Sequence, residues 1–438
     1  MILLKNGRLI QEGNTLMDRD ILIGNGRVLT IEEAISPQEG TAVIDLKGQL
    51  VTAGFIDPHV HLREPGYTEK ETIETGARAA VKGGYTTIFA MPNVKPAPDT
   101  PEKVRDLAAR AERDAAIRIG WIVPITFGER GGELTDFKAL KEAGAVAVSD
   151  DGKGVQSNAM MAEAMRSARE NDLVLCAHCE DESILAGGYI HAGDYSLKHG
   201  HKGISRAVED VQVARDILLA GEAGARYHIC HMSTHRGVDL LKLGQDWGYR
   251  VTGEVTPHHL LLSDADLRED GRFKMNPPLR ALKDRDRLIQ GLKDGVIRVI
   301  ATDHAPHTRE EKSQGLAGSP FGITGLETAF PLLYTYLVKP GLVTLETVVN
   351  AMTRGPAEIF SLEGGVLEEG ARADITVTDL KSDYVIDAEQ HESKGRNTPF
   401  DGWRVFGRTE LVIKDGNVIY QDGRFVSRKR QGPDQDDA

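Results

Sequence analysis

A chain of 438 residues is too long for one small core and fits either two or three domains or one large barrel with an appendage. Hydrophobic residues at 40% and charged residues at 27% are ordinary proportions for a soluble globular protein. The formal net charge of −13, from 53 basic and 66 acidic residues, argues against nucleic acid as a partner; part of the acidity lies in the tail Pro433–Ala438. No apolar run reaches membrane-spanning length, and the start MILLKNGRLI lacks a basic leader and a long apolar stretch, so the expected setting is the cytoplasm, with no membrane. Cys176, Cys179 and Cys230 are an odd and small set that argues against a disulfide framework. Cys176-Ala-His-Cys179 matches C-x-x-C, but it follows an apolar strand without an evident helix start and has no second pair, so buried thiols are expected.

Three segments near the chain ends look alike: Lys5-Asn-Gly-Arg-Leu-Ile10, Gly24-Asn-Gly-Arg-Val-Leu29 and Lys414-Asp-Gly-Asn-Val-Ile419. Each sets Asn-Gly or Asp-Gly between apolar residues, the chemistry of a tight hairpin turn that needs positive φ. Ala371-Arg-Ala-Asp-Ile-Thr-Val-Thr378 alternates like a strand. Both ends are therefore expected to build one small β-sandwich domain, from residues 1–50 and 363–438, with residues 51–362 inserted into it.

The inserted part alternates apolar runs with helical stretches, which predicts a parallel sheet with crossover helices and, at this length, an α/β fold of the (β/α)₈ barrel type. Eight strands are expected, around 54–57, 86–91, 117–125, 145–148, 173–177, 227–230, 250–255 and 297–301. Met160–Arg169 and Val208–Leu219 are good helix formers between them.

Polar residues collect where these strands end, the rim that carries active sites in such barrels. The first strand runs into Asp-Pro-His59-Val-His61, and side chains two apart on a strand face the same way. The second ends at Asn93, the fourth at Asp150 and Asp151, the fifth at His178, the sixth at His231 and the eighth at Asp303. His59, His61, His178, His231, Asp151 and Asp303 make four imidazoles and two carboxylates, a set suited to zinc or another first-row divalent ion. One metal with three ligands leaves donors over; two metals bridged by a carboxylate use them all. Such a site makes hydroxide at neutral pH and polarises a carbonyl. His199-Gly-His201 follows no strand and reads as surface, His228 reads as facing a structural partner, and His258 and His259 stay unassigned.

These motifs resemble the amidohydrolase superfamily and, within it, the bacterial class I dihydroorotases. The resemblance runs through DPHVHLREPG, MPN (91–93), SDDG (149–152), AHCED (177–181), HMST (231–234), MNPPLR (275–280), ATDHAPH (301–307) and PFG (320–322). It implies zinc-dependent, reversible cyclisation of N-carbamoyl-L-aspartate to (S)-dihydroorotate, a step of pyrimidine biosynthesis. It implies two zinc ions held by His59, His61, His178, His231 and Asp303 and bridged by Asp151 and a hydroxide, with Asp303 as the acid/base residue. The wider superfamily commonly uses a carboxylated lysine at the bridge; here the position reads Asp151, and Lys153 lies further on, in an expected loop. The implied substrate contacts are His61, Arg63, Asn93, Asn276 and His307, with backbone groups of Phe321 and Gly322 on the ring. Arg63 follows His61 by two, so alternation aims its planar fork at the same pocket, where the substrate carboxylate needs a cation. The bland reading of Arg63 is a salt bridge to Glu64 or Glu69.

Two other readings compete. Allantoinases and hydantoinases open neutral cyclic ureides by similar chemistry, but those substrates have no carboxylate for Arg63. A catalytically silent scaffold is the reading from another class, and such homologues lose metal ligands, whereas all six are present here. The polar segment Thr308–Pro320 reads as a lid or as an ordinary surface loop. The expected partner is the small-molecule substrate; a homodimer and a complex with an aspartate carbamoyltransferase are left open by the sequence.

Overall fold

The computed structural model describes residues 1–11 and 13–426, so the acidic tail Pro433–Ala438 lies outside the described residues. Five strands open the chain: β1 (Ile2–Gln11), β2 (Thr15–Gly24), β3 (Arg27–Glu32), β4 (Ala42–Asp45) and β5 (Leu50–Ala53). Then come β6 (Phe55–Val60), β7 (Tyr85–Ala90), β8 (Arg118–Val123), β9 (Ala145–Val148) and β10 (Val174–Ala177), followed by a short parallel pair, β11 (Ile190–His191) and β12 (Gly203–Ile204). After β13 (Arg226–Ile229), β14 (Val251–Val255) and β15 (Val299–Ile300), the chain closes with β16 (Ile375–Val385), β17 (Arg404–Lys414), β18 (Asn417–Gln421) and β19 (Arg424–Phe425).

β6 to β10 and β13 to β15 form an eight-stranded parallel sheet in ring order. Its ends approach where His61 N donates to His304 O at 2.9 Å, and Val60 bridges to His304. β6, β7 and β10 are buried at every residue, because one face fills the barrel and the other lies under the helices. That double burial is why they read as apolar runs, and all eight strands stand where the sequence predicts them. The helices supply the outer layer. Ile73–Lys82 starts at Thr72, whose side chain accepts from Thr75 N, and turns Ile73, Ala77, Ala80 and Val81 inward. The expected helical stretches lie in Asn158–Glu170 and Ala207–Ala223. Among the described residues no helix is long and apolar enough to cross a membrane.

Both chain ends share a second, nine-stranded sheet in which β5 joins them, pairing parallel to β1 and antiparallel to β16 with Thr52 opposite Thr376. Two of the three expected tight turns are hairpin turns: Asn25-Gly26 between β2 and β3, and Asp415-Gly416 between β17 and β18, each with positive φ at both residues. The third is corrected. Asn6 does have φ 58°, but β1 continues through it, and its pairing with β2 shifts register between Leu4 and Gly7. This is a bulge inside a strand, a different use of the same left-handed residue.

One buried ion pair ties two barrel helices behind the rim. Asp284, wholly buried, accepts from Arg206 Nε and Nη2 at 2.6–3.0 Å. It also accepts from His235 N at 3.0 Å and His235 Nδ1 at 2.7 Å, at the start of the helix that follows His231. Burial pushes its carboxyl up, but the hydrogen bonds from Arg206 and His235 outweigh burial and hold it at about 2. Asp284→Ala is expected to lower stability by about 2 kcal/mol at pH 7, since it leaves the partly exposed Arg206 and His235 without the buried carboxylate that holds them, as read by urea denaturation. A folded-state value below the unfolded 3.8 means that the contribution is complete above pH 3.8 and fades as pH falls toward about 2. The gap between parent and variant should close over that interval; a gap independent of pH would assign the loss to packing alone.

Candidate active site

His59, on β6, is fully buried, and its ring centroid lies 5.4 Å from that of His61. Glu254, inside β14, orients it: His59 Nδ1 donates to Glu254 Oε1 at 2.6 Å, which turns Nε2 inward as an acceptor. The same carboxylate takes His231 N at 3.2 Å and stands 3.1 Å from His228 Nε2. Asn93 does the equivalent for His61, accepting from Nδ1 at 2.9 Å, while its own Nδ2 donates to Asp151 Oδ2 at 3.3 Å. His61 Nε2 stands 2.9 Å from Asp303 Oδ1.

Asp151 occupies the centre. Its Oδ1 lies 3.5 Å from His59 Nε2, 3.6 Å from His231 Nε2 and 3.9 Å from His178 Nδ1, and its Oδ2 lies 3.6 Å from His61 Nε2. Two groups of donors that could hold a metal ion therefore share it: His59, His61 and Asp151, and Asp151, His178 and His231. Backbone strain marks two of the strand ends, where His231 has φ 32° and Asp303 φ 47°, conformations that non-glycine residues adopt at a cost of about 1–3 kcal/mol each. Both residues turn from strand into loop there, which aims the side chains at the centre.

Electrostatics agree with this geometry. Burial pushes the Asp151 carboxyl up, but the imidazoles crowded around it, His59 foremost, outweigh burial and hold it well below the usual carboxylate range. Burial also raises Asp303, and the hydrogen bond from His61 with the charges of His59 and His61 brings it below its ordinary value. His59 Nε2 and Asp151 Oδ1 are buried without a hydrogen-bond partner. Buried unpaired polar atoms are costly, and a divalent cation between them removes that cost, so the residues present fit a metal.

Beside this cluster opens a cavity of about 230 Å³, lined among others by Arg63, Asn93, Asn276, His307, Phe321 and Gly322. Asn276 Nδ2 donates to Glu180 Oε2 at 2.6 Å. His307 Nε2 donates to Phe321 O at 2.7 Å; burial first, then the charges of Arg63, Lys312 and Lys70, push the imidazole down to about 3, so it is neutral at physiological pH. Arg63, half-buried, donates from Nε to Pro306 O at 3.3 Å and sits 3.4 Å from His307 Nε2. Among the described residues it has no carboxylate within 4.0 Å; Glu64 pairs instead with Arg110 at 3.6 Å.

The remaining candidates fall elsewhere. Asp150 accepts from Thr126 N and Oγ1, His199 is exposed, and His201 bonds Tyr189 and Glu269. Lys153 is exposed on its loop, and the three cysteines are buried and unpaired. Glu254 is the functional residue that the sequence reading missed. Its signal was a carboxylate inside Val251-Thr-Gly-Glu-Val255, a buried strand where a charge must have a partner.

Curated relatives match nearly the whole chain. A dihydroorotase of Geobacillus sp. strain WCH70 is 48% identical over 424 residues, covering 97% of this chain and 99% of its own. That of Geobacillus thermodenitrificans is 50% identical over 423 residues, covering 96% and 99%. The chain belongs to the dihydroorotase family. A family model described as dihydro-orotase-like matches residues 48–237. Among solved structures, the L-hydantoinase (dihydropyrimidinase) of Arthrobacter aurescens superposes with a TM-score of 0.88 at 27% identity, each chain covered to 97%. The D-hydantoinase of a Thermus species gives 0.83 at 26%, covering 98% and 97%. Dihydroorotases and hydantoinases thus share one fold and hydrolyse cyclic amides. The much higher identity places this cyclic amide hydrolase with the dihydroorotases.

Proposed function

We propose that the rim cluster interconverts N-carbamoyl-L-aspartate and (S)-dihydroorotate with two zinc ions, one held by His59 and His61, the other by His178 and His231. Asp151 would serve both, and Asp303 would be the sixth ligand. Bound zinc supplies an acidified water and a polarised carbonyl at this place. The protein's own residues do the rest. Glu254 and Asn93 fix the ring orientations of His59 and His61. Arg63, Asn93 and Asn276 hold the substrate, neutral His307 contacts it without adding charge, and the backbone at Phe321 and Gly322 meets the ring.

In ring opening, water adds to the ring carbonyl and the bond from that carbon to the ring nitrogen breaks. Asp303 takes a proton from the attacking water and gives it to the departing nitrogen. The new carboxyl group loses its remaining proton to solvent, so opening releases one proton and closure consumes one. Ring closure runs the same steps in reverse, with water as the product.

The observation that carries the substrate assignment is Arg63: a half-buried guanidinium at the pocket wall without a carboxylate of its own. Dihydroorotate brings that carboxylate; a neutral ureide does not. Arg63→Met keeps the apolar stem and removes the fork, and dihydroorotate binding should weaken by about 2–5 kcal/mol. Dihydrouracil and allantoin, assayed side by side, should be poor substrates of the parent. Unchanged kinetics for dihydroorotate in the variant would return Arg63 to a packing role and remove the main support for this substrate.

A further inference from the structure

Between β16 and β17 the chain leaves the nine-stranded sheet, and residues 386–403 run to the barrel rim. Ser393 Oγ donates to Glu71 Oε2 at 2.5 Å, and Lys394 N donates to Glu71 Oε1 at 3.2 Å, which anchors the excursion on the loop that follows Arg63. At Gly395 a Cβ would lie 2.7 Å from both Pro306 Cβ and Thr324 Cγ2, so only glycine allows the backbone to press this closely on the rim.

Asn397 comes next and is 2% exposed. Its Nδ2 donates to Ala305 O at 2.9 Å and to Gly322 O at 3.0 Å, and its Oδ1 accepts from His307 N at 3.0 Å. Its own carbonyl accepts from Thr324 N at 3.1 Å. Both side-chain donors and the acceptor are thus spent on two rim segments, the one bearing His307 and the one bearing Phe321 and Gly322. A second clamp meets the first. Lys312, also buried, donates from Nζ to Lys274 O, Pro320 O and Gly322 O at 2.9–3.1 Å, so the Gly322 carbonyl is held from two sides. The segment Thr308–Pro320 is accordingly anchored at Lys312 and at the wholly buried Leu316.

We propose that Asn397 is a positioning residue for the dihydroorotase reaction. It fixes His307 and the Phe321–Gly322 peptide relative to each other, so that the excursion from the nine-stranded sheet completes the substrate rim. This rests on the reading of His307, Phe321 and Gly322 as substrate contacts. Small displacements of such contacts reduce binding and rate steeply. Asn397 makes no hydrogen bond to any of the six proposed metal ligands, so its loss acts on substrate and leaves the metal in place.

The test uses the full chain loaded with zinc and compares Asn397→Ala, Asn397→Asp, His307→Ala and the double variant Asn397→Ala/His307→Ala. Asn397→Asp keeps the size and the acceptor for His307 N while losing both donors, so it reports even where the alanine variant folds poorly. Either variant should raise KM for dihydroorotate about tenfold with kcat within about threefold and zinc content unchanged. In the His307→Ala background the further rise should be smaller than in the parent, because the part of the effect that passes through His307 is already gone and only the part through Gly322 is left. Unchanged KM, a fall in kcat accompanied by zinc loss, or effects that multiply in the double variant would each overturn the role of Asn397. His307→Ala leaving KM unchanged would instead remove the substrate-contact reading and this inference with it, so the two failures are told apart.

Discussion

Asp303→Asn is expected to keep its metal and lose turnover in both directions. Asparagine preserves the size and one oxygen where Asp303 Oδ1 now stands, 2.9 Å from His61 Nε2. It cannot carry the proton that passes between water and the ring nitrogen. Positioned proton transfer contributes about 10²–10⁴-fold, so kcat should fall by about three orders of magnitude for dihydroorotate and for N-carbamoyl-L-aspartate alike. Initial rates in both directions, with metal measured by emission spectrometry on the same samples, check this. A variant with full metal and a tenth or more of parental turnover would show that Asp303 serves as a ligand only.

Asp151→Ala should fail differently, by losing metal. Its two oxygens lie 3.5–3.9 Å from four imidazole nitrogens that come from three different strand ends, whereas Asp303 Oδ1 stands against the pair at the end of β6, 3.5 Å from His59 Nε2 and 2.9 Å from His61 Nε2. Metal content should drop from two ions to one or fewer per chain, and turnover to below about 1% of the parent. The fold should persist with a thermal midpoint close to the parent's, since the barrel core is built from apolar side chains on β6 to β10 and β13 to β15 and not from the rim. Two ions per chain retained together with parental rates would discard the shared-carboxylate arrangement. The pair of variants separates the roles: full metal without turnover for Asp303→Asn, loss of both for Asp151→Ala.

What could be read from the sequence was what depends on neighbours along the chain. β7 and β10 announced themselves as apolar runs because both their faces are buried, and the rim residues followed because each barrel strand ends within one to three residues of its polar side chain. His59 and His61 share a direction through the two-residue period alone. Asn25-Gly26 and Asp415-Gly416 make turns because only such residues accept two successive positive φ values cheaply. Asn6-Gly7 has the same local chemistry, yet its role as a bulge was set by pairing with β2 and by Val51, whose Cγ2 would lie 2.6 Å from a Cβ at Gly7.

Partners across the ring were decided by the tertiary structure. Glu254 orients His59 from 195 residues away, and nothing local to either residue records the contact. Asn397 meets His307 across 90 residues, and Glu64, the neighbour of Arg63 along the chain, pairs with Arg110 while Arg63 has no carboxylate within 4.0 Å among the described residues. Side-chain alternation, turn chemistry and strand burial are properties of a few consecutive residues, so the barrel and the polar residues at its rim were legible along the chain. Which carboxylate orients which imidazole, and which loop clamps the substrate rim, depend on where the closing ring and the returning C-terminal segment place atoms distant in sequence. Those distances exist only once the chain has folded.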